Sequence, residues 1–279
     1  MGPRGEELAR RRAPTPAGDY GATLEAVAAL VEDVERGAGG RSPSVGVGTP
    51  GALEPGTGLI HNANSTCLIG QPLDKDLAAR LGRPVLLAND ADCFALSEAS
   101  DGAAAGCRTV FGVILGTGVG GGIVVDGRLV TGPNRIQGEW GHNPLPWPAD
   151  DERPGPACYC GRSGCVETFL SGPGLKRDLG AGLEPPEIAA RAAGGDAACE
   201  AALRRYEDRL ARSLAVVINI LDPEAVVLGG GMSNLERLYA AVPPLWKGRV
   251  FCARPATRLL RARFGDSSGV RGACWLVRA

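Results

Sequence analysis

The chain has 279 residues, of which 44% are hydrophobic and 22% are charged. This is the composition of a globular protein and excludes wholesale disorder. Thirty basic residues and 31 acidic residues give a formal net charge of −1. The charge balance leaves no electrostatic footprint for nucleic acid or for an anionic membrane, so neither is expected as a partner.

Targeting signals and disulfides are also not expected. No stretch reaches the roughly 18 apolar residues that a membrane span needs. The first residues lack the apolar core of a signal peptide, so we expect a cytoplasmic protein. Nine cysteines in a reducing compartment are not expected to form a disulfide framework. Three of them lie within the eight residues 158–165, and such clustering indicates a metal site.

Helix and strand patterns alternate along the chain, which favours an α/β architecture. Asp19 can cap the first helix, whose apolar residues share one face. In chain order the patterns predict a helix over 19–36, a strand over 45–49, a turn at Pro50 and Gly51, a helix over 74–81, a strand over 84–88, strands over 109–115 and 122–125, a helix over 196–221 and a strand over 225–228. The stretch 132–164 is rich in proline and glycine and is expected to be loop.

An Asn89-Asp90 pair follows the buried strand over 84–88. Open α/β sheets bind ligands at the carboxyl ends of their strands, so Asp90 is well placed for chemistry. The alternative is that Asp90 is an N-cap for a helix that begins near Ala91. The residues themselves leave both interpretations open.

Two glycine runs each follow a strand. Glycine lets the backbone approach a ligand closely and turn its N–H groups towards an anion. A tight β-hairpin without a ligand is the alternative, and the first run matches neither a Walker A loop nor a dinucleotide fingerprint. The two runs comprise Gly116, Thr117, Gly118, Val119, Gly120, Gly121 and Gly122, and then Gly229, Gly230 and Gly231.

Four residues have the chemistry of a zinc site, namely His142, Cys158, Cys160 and Cys165. Three thiolates and one imidazole satisfy tetrahedral Zn²⁺, and sulfur ligands select zinc over magnesium or calcium. Because four protein ligands close the site, this zinc is expected to be structural. Three buried free cysteines are the alternative.

Two acids, Glu139 and Glu167, bracket the cysteine loop together with His142. Carboxylates and imidazoles are suitable partners for vicinal hydroxyl groups, so a sugar fits them. Each acid taken alone is compatible with an ordinary solvated surface position.

Five motifs occur in one order along the chain, from about residue 5 to the end. Together they resemble the ROK family of sugar kinases and repressors, and within it the bacterial fructokinase or manno(fructo)kinase branch. Further similarity to that branch comes from the segments 142–147, 62–65, 167–171 and 265–272. The five motifs are Asn89-Asp-Ala-Asp92, Leu115-Gly-Thr-Gly-Val-Gly-Gly-Gly122, Gly138-Glu-Trp-Gly-His142, Cys158-x-Cys-Gly-x-x-Gly-Cys-x-Glu167 and Leu228-Gly-Gly-Gly-Met232.

The resemblance implies an actin-like sugar kinase fold, with two α/β domains around a cleft. It implies that Asp90 is the catalytic base and that the sugar is contacted by Gly51, Asn89, Glu139, His142 and Glu167. The glycine runs would bind ATP with Mg²⁺. The four candidate zinc ligands match the ligands of the family's zinc site. His142 would bind zinc through one nitrogen and a sugar hydroxyl through the other. The expected reaction is phosphorylation of a hexose, foremost fructose at its 6-hydroxyl, and a homodimer is expected.

One part of the family pattern is missing. ROK kinases begin with a strand that carries Asp-x-Gly-Gly-Thr and helps hold the ATP phosphates and Mg²⁺, and these 279 residues contain no such segment. Three readings compete. The first is a kinase whose true start lies upstream, and the second is a sugar-binding pseudokinase. The third, a ROK transcription repressor, is disfavoured because too few residues precede the kinase pattern for a helix-turn-helix.

The expected domain division follows the same resemblance. A small α/β domain is placed at 1–108, with a C-terminal helix over 265–279 packed back on it. A large α/β domain with the zinc loop is placed at 109–264.

Overall fold

The computed structural model describes residues 1–2, 4–63 and 65–278. Asn64 of the 62–65 motif and Ala279 lie outside the described residues. The strands are β1 (Val45–Thr49), β2 (Ala52–Leu53), β3 (Ile60–His61), β4 (Val85–Asn89), β5 (Thr109–Leu115), β6 (Val119–Val125), β7 (Arg128–Leu129), β8 (Ala225–Gly229) and β9 (Arg258–Arg261). The helices are α1 (Tyr20–Ala38), α2 (Leu73–Leu81), α3 (Asp90–Ser100), α4 (Val166–Leu170), α5 (Gly172–Leu179), α6 (Pro185–Ala193), α7 (Ala197–Leu221), α8 (Arg237–Trp246) and α9 (Ser268–Leu276).

The larger sheet has five strands in the order β7-β6-β5-β8-β9. Its strands β5, β8 and β9 are parallel, whereas β6 and β7 add antiparallel at one side. A second sheet pairs β1 with β4 in parallel, and β2 and β3 form a short antiparallel hairpin. The α/β class predicted from the alternating pattern is therefore confirmed.

The main core lies between the five-stranded sheet and α7. Leu203, Tyr206 and Leu210 of α7 are almost completely buried in the same cluster as Phe111 of β5 and Val226 of β8. Burial of such large apolar side chains is the dominant favourable contribution to folding. Among the described residues, no helix combines the length and the apolar character that crossing a membrane requires.

Helix ends follow the local signals in the sequence. The helix predicted over 19–36 is α1, which begins after Asp19 because that side chain accepts a hydrogen bond from the backbone N–H of Ala22. It ends at Gly39, whose left-handed conformation suits glycine. The helix predicted over 196–221 is α7, capped in the same way by Asp196.

The first glycine run differs from the prediction. Strand β6 begins at Val119 rather than near residue 122, so Gly120, Gly121 and Gly122 lie within the sheet and pair with β5. Only Gly116, Thr117 and Gly118 form the connecting turn. The alternative of a tight hairpin thus accounts for the second half of the run.

Close packing of α3 explains why glycine is needed in the sheet. A Cβ atom on Gly122 would lie 2.6 Å from the carbonyl oxygen of Ala91 and 2.9 Å from the Cβ of Ala95. A Cβ on Gly112 of β5 would lie 2.6 Å from the same Ala95 Cβ. These distances are far below van der Waals contact, so the helix lies directly on the sheet backbone.

The C-terminal helix α9 packs against α3 and against β1. A Cβ on Gly272 of α9 would lie 1.6 Å from the carbonyl oxygen of Cys93 in α3. On its other side, a Cβ on Gly46 of β1 would lie 1.7 Å from the carbonyl oxygen of Ala273. Helix α9 therefore joins the β1–β4 sheet to α3, while the division into domains 1–108 and 109–264 stays a prediction.

The packing of α3 generates a stability prediction. Replacing Gly122 with alanine should lower the free energy of unfolding by about 1–3 kcal/mol, because the added methyl group forces α3 away from β6. Urea unfolding at equilibrium measures this difference. The matched control is Gly132→Ala, since no atom lies within 4 Å of a Cβ at that position. Equal stability losses in the two variants would contradict the packing argument.

Candidate active site and metal centre

The N-terminus of α3 presents Asn89 and Asp90 together. Asn89 is the cap of this helix, and its Oδ1 accepts a hydrogen bond from the N–H of Ala91 at 2.7 Å. Asp90 is the first helical residue, and its Oδ1 also accepts from Ala91, at 2.8 Å. The capping role that the sequence left open for Asp90 thus belongs mainly to Asn89. The Asp90 residue as a whole stays partly exposed to solvent.

Asp90 has the electrostatic character of a group that can accept a proton. Partial burial raises the pKa of its carboxyl above the ordinary value, against hydrogen bonds from the backbone N–H groups of Ala91 and Asp90. A higher pKa makes a carboxylate a stronger base near neutral pH.

Glu139 is held at the cleft by close contacts on both sides. Gly138 has a φ of 80°, and a Cβ there would lie 2.2 Å from the carbonyl oxygen of Gly121. The indole Nε1 of Trp140 donates to the carbonyl of Gly120 at 3.0 Å. The backbone at Glu139 is therefore held against β6 through both neighbouring residues.

Several neighbouring charged residues influence the pKa of Glu139. Burial raises the pKa of its carboxyl, and the negative charges of Glu167 and Asp90 raise it further, while His142 and His61 act in the opposite direction. Asp90 and Glu167, the other two acids that the sequence singled out, are therefore near enough for their charges to act on Glu139. His61, on β3, was not predicted, and its Nε2 is buried with no hydrogen-bond partner among the described residues.

Glu167 connects the acid cluster to the glycine turn. It lies in the first turn of α4, and its Oε2 accepts a hydrogen bond from the N–H of Val119 at 2.9 Å. A Cβ atom on Gly118 would lie 2.8 Å from the same oxygen, so a larger residue at position 118 would displace the Glu167 carboxylate.

The two glycine runs meet at one edge of the sheet. β5 and β8 are parallel neighbours, so the turn 116–118 and the run 229–231 both follow carboxyl ends of strands. Gly229 belongs to β8, and a Cβ there would lie 2.4 Å from the Phe94 ring. Gly230 packs on Leu115, whereas no atom lies within 4 Å of a Cβ at Gly231. The two parts of the runs open to a ligand are therefore the turn and Gly231.

Gly51 lies on the other side of the Asn89 cap. Its carbonyl oxygen accepts a hydrogen bond from Asn89 Nδ2 at 3.4 Å. Its φ is 78°, and a Cβ would lie 2.3 Å from the carbonyl oxygen of His61. Gly51 thus lets the chain before β2 pass close to the backbone at His61 while it contacts the Asn89 cap.

The four predicted zinc ligands converge. Their ligand atoms lie within 4.8 Å of one another. Cys160 Sγ and Cys165 Sγ are 3.6 Å apart, and Cys158 Sγ is 3.5 Å from His142 Nδ1. Tetrahedral Zn²⁺ with ordinary bond lengths separates two sulfur ligands by about 3.8 Å, and sulfur from nitrogen by about 3.6 Å. The residues present therefore fit a zinc ion.

The second nitrogen of His142 meets a side chain that was not predicted. His142 Nε2 is 2.9 Å from the hydroxyl of Tyr159, and the two rings pack edge to face at 5.1 Å. Tyr159 is 82% exposed. A sugar hydroxyl that binds this nitrogen has to replace the tyrosine contact.

A buried ion cluster ties the zinc loop to α7. Glu152, from the loop, pairs with Arg209 at 2.7 Å and with Arg212 at 2.8 Å, and all three side chains are at least 93% buried. Arg212 also donates to the carbonyl oxygens of Pro146 and Trp147. Burial alone would raise the pKa of Glu152, but the two guanidinium groups lower it to about 2.

Removal of the Glu152 charge should destabilise the protein in a pH-dependent way. Glu152→Gln removes the buried carboxylate that Arg209 and Arg212 share and leaves them Asp178 and Asp208 as their remaining acidic partners. The free energy of unfolding should therefore fall by about 2–3 kcal/mol at pH 7. The lowered pKa means that this contribution is complete above pH 4.5 and is lost as the pH falls towards about 2. Urea titrations at several pH values test this, with the exposed Asp150→Asn as control. A pH-independent difference would contradict it.

Comparison with known proteins places this arrangement among related chains. A sequence profile of the ROK family matches residues 1–279. The N-acetyl-D-glucosamine kinase of Salmonella paratyphi A is 42% identical over 274 residues, which cover 95% of this chain and 90% of the relative. The corresponding kinase of Yersinia enterocolitica is 39% identical over 279 residues, covering 97% and 92%.

Solved structures of ROK family proteins have a similar fold. A ROK hexokinase from Thermus thermophilus superposes with a TM-score of 0.85 at 33% identity, covering 96% of this chain and 90% of the other. A ROK family glucokinase from Streptomyces griseus, solved with glucose and AMPPNP, gives 0.79 at 27% identity, covering 100% and 94%. The predicted actin-like fold is thus confirmed, whereas the fructokinase branch is not. Matched over its whole length by the family profile, the chain belongs to the ROK family.

Proposed function

We propose that this chain is an ATP-dependent sugar kinase that phosphorylates the 6-hydroxyl group of N-acetyl-D-glucosamine or a related hexose. The observation that carries the proposal is the convergence of Asp90, Glu139 and Glu167 beside the turn 116–118. The names of the relatives favour the N-acetylated sugar over fructose, which the motifs alone favoured. Fructose remains the second candidate.

Asp90 is proposed as the catalytic base. Its carboxylate lies at the N-terminus of α3, and burial raises the pKa of this group. It accepts the proton of the 6-hydroxyl as that oxygen attacks the γ-phosphorus of ATP, and the bond to the β–γ bridging oxygen breaks. The protein orients the nucleophile and stabilises charge, because little covalent chemistry is required of it.

The sugar is proposed to lie between Asn89, Gly51 and the acid cluster. Carboxylates accept hydrogen bonds from adjacent ring hydroxyls. Glu167 is close enough to Glu139 for its negative charge to raise the pKa of Glu139. Asn89 supplies an amide, and His142 supplies an imidazole nitrogen once the Tyr159 contact is replaced.

The phosphates are proposed to contact the turn Gly116–Thr117–Gly118 and the backbone at Gly231, whereas Gly230 packs on Leu115. Turn glycines present N–H groups to an anion, and the exposed Thr117 adds a hydroxyl. Gly120, Gly121, Gly122 and Gly229 are assigned to packing instead. Bound Mg²⁺ supplies neutralisation of charge on the phosphoryl oxygens.

The metal centre is proposed to hold a structural zinc ion. Its four protein ligands close the coordination sphere, so no position is left for substrate. Bound through Nδ1, His142 would have a fixed imidazole ring, and its Nε2, which is 2.9 Å from the hydroxyl of Tyr159, would be held in place as a sugar contact.

The direct test is ADP release by the purified chain with Mg·ATP and N-acetyl-D-glucosamine, fructose, mannose or glucose offered separately. We expect turnover to be fastest with N-acetyl-D-glucosamine. Sugar binding by calorimetry without ADP release would contradict the kinase assignment and favour a sugar-binding protein of the same family. Fastest turnover with fructose would overturn the substrate assignment.

The base assignment predicts the behaviour of Asp90→Asn. An amide cannot accept the hydroxyl proton, so kcat should fall by about 10²- to 10⁴-fold, whereas the sugar Kd from calorimetry should change little. Asp126→Asn, at the exposed hairpin turn between β6 and β7, is the control and should retain activity. Retained turnover in Asp90→Asn would exclude this residue as the base.

The zinc assignment predicts the behaviour of Cys160→Ser. Loss of one thiolate should weaken metal binding by at least about 10-fold and should weaken sugar binding with it, because His142 is no longer fixed. Metal analysis and calorimetry on the same preparation measure both. Cys252→Ser removes an exposed thiol outside the cluster and serves as control. Loss of metal with unchanged sugar affinity would contradict the positioning role.

A further inference from the structure

Asp92 and Gln137 form a buried pair beside the acid cluster. Asp92 lies in the first turn of α3 and is only 6% exposed. Gln137 Nε2 donates a hydrogen bond to its Oδ2 at 2.9 Å. The remaining oxygens, Asp92 Oδ1 and Gln137 Oε1, are both buried and have no hydrogen-bond partner among the described residues.

The two unpartnered atoms belong to the same pair, and both are acceptors when Asp92 is ionised. Leaving two buried acceptors unsatisfied is costly, and an unpaired buried carboxylate costs more. A single proton on Asp92 Oδ1 removes both deficits, because the acid O–H can then donate to Gln137 Oε1. The result is a ring of two hydrogen bonds between a carboxylic acid and a carboxamide.

The surrounding charges favour the neutral acid. Burial raises the pKa of Asp92, the hydrogen bond from Gln137 lowers it, and the negative charges of Glu139 and Asp90 raise it, with the result at about 7. Asp92 and Gln137 line a cavity of about 430 Å³, and Arg128 and Arg135 line it too. Both arginine residues are exposed, so solvent screens their positive charges.

The pair also connects the two acids that the proposed function uses. Asp92 is two residues from Asp90 on α3, and Gln137 is two residues from Glu139 on the preceding loop. Gly138, between Gln137 and Glu139, lies against β6. A rigid link from α3 to Gln137 therefore restricts where Glu139 can stand relative to Asp90.

We propose that Asp92 is a positioning residue, held as a neutral acid in a two-hydrogen-bond pair with Gln137 that fixes Glu139 opposite Asp90. The proposal rests on the proposed kinase function for its effect on activity. Loss of the Asp92 proton breaks one of the two bonds and adds a negative charge beside both acids. Activity should therefore fall as the pH rises through the titration of Asp92.

Asp92→Asn tests this because asparagine repeats both hydrogen bonds and does not titrate. In the parent protein, kcat/KM for the sugar should fall by at least about 5-fold between pH 6 and pH 8.5, mainly through KM. In Asp92→Asn that alkaline decline should be absent. Asp126→Asn removes an exposed charge elsewhere and should keep the parent profile. An unchanged decline in Asp92→Asn would overturn the proposal.

A second variant separates pairing from charge. Gln137→Leu removes both the amide N–H group and the amide oxygen that pair with Asp92, so the sugar KM should rise at every pH. Gln137→Glu, by contrast, can share one proton with Asp92 and should bind sugar better at pH 6 than at pH 8.5. Parent-like KM values in Gln137→Leu would show that the pair does not position Glu139.

A measurement without turnover distinguishes failure of this proposal from failure of the kinase assignment. Because the folded pKa of Asp92 lies above its ordinary value of 3.8, the parent protein should lose stability relative to Asp92→Asn as the pH rises from about 4 to about 7. Thermal unfolding of both proteins at several pH values measures this. Parallel curves would overturn the neutral-acid pair, whereas diverging curves in a chain without turnover would support the pair and reject the kinase.

Discussion

The rest of the structure depends on how closely α3 lies on its neighbours. Glycine at 112, 122 and 272 lets the helix backbone touch the large sheet on one side and α9 on the other. Interiors packed at this density transmit displacements rather than absorb them. Since Asp90 and Asp92 lie in the first turn of α3, their positions are set by backbone contacts far more than by their own side-chain interactions.

A second constraint is the collection of like charges that this packing creates. Asp90, Glu139 and Glu167 stand close enough for their charges to oppose one another, and burial adds to that cost. A site of this kind is destabilising by itself, so stability has to come from elsewhere in the fold. The α7 core and the cluster of Glu152 with Arg209 and Arg212 supply it, and the latter also holds the loop that leads to the metal ligands.

Local signals made part of this structure predictable. The helix caps Asp19 and Asp196 act within three residues of themselves, and strand β1 was predicted with its observed ends. The role of the first glycine run was ambiguous, because the sequence does not distinguish a glycine that allows close packing of a helix from one that allows close approach of a phosphate. Pairs such as Asp92 with Gln137, 45 residues apart, leave no local signal at all. Tyr159 was visible in the zinc motif, but only its contact with His142 gives it a role.

The substrate was harder to infer than the reaction, for a physical reason. The proposed base and the proposed phosphate turn act on the 6-hydroxyl group and on ATP, and these groups differ little from one hexose substrate to another. The motifs that contain Asp90 and Gly118 therefore indicate a sugar kinase of this family without identifying its sugar. Discrimination between hexoses depends on groups that contact the ring substituents, and Glu139 and His142 are the contacts proposed here. On the proposals made above, the metal ligands and the Asp92–Gln137 pair fix the positions of these two side chains. Sugar specificity would then follow from how the loops are anchored, which motifs alone do not reveal.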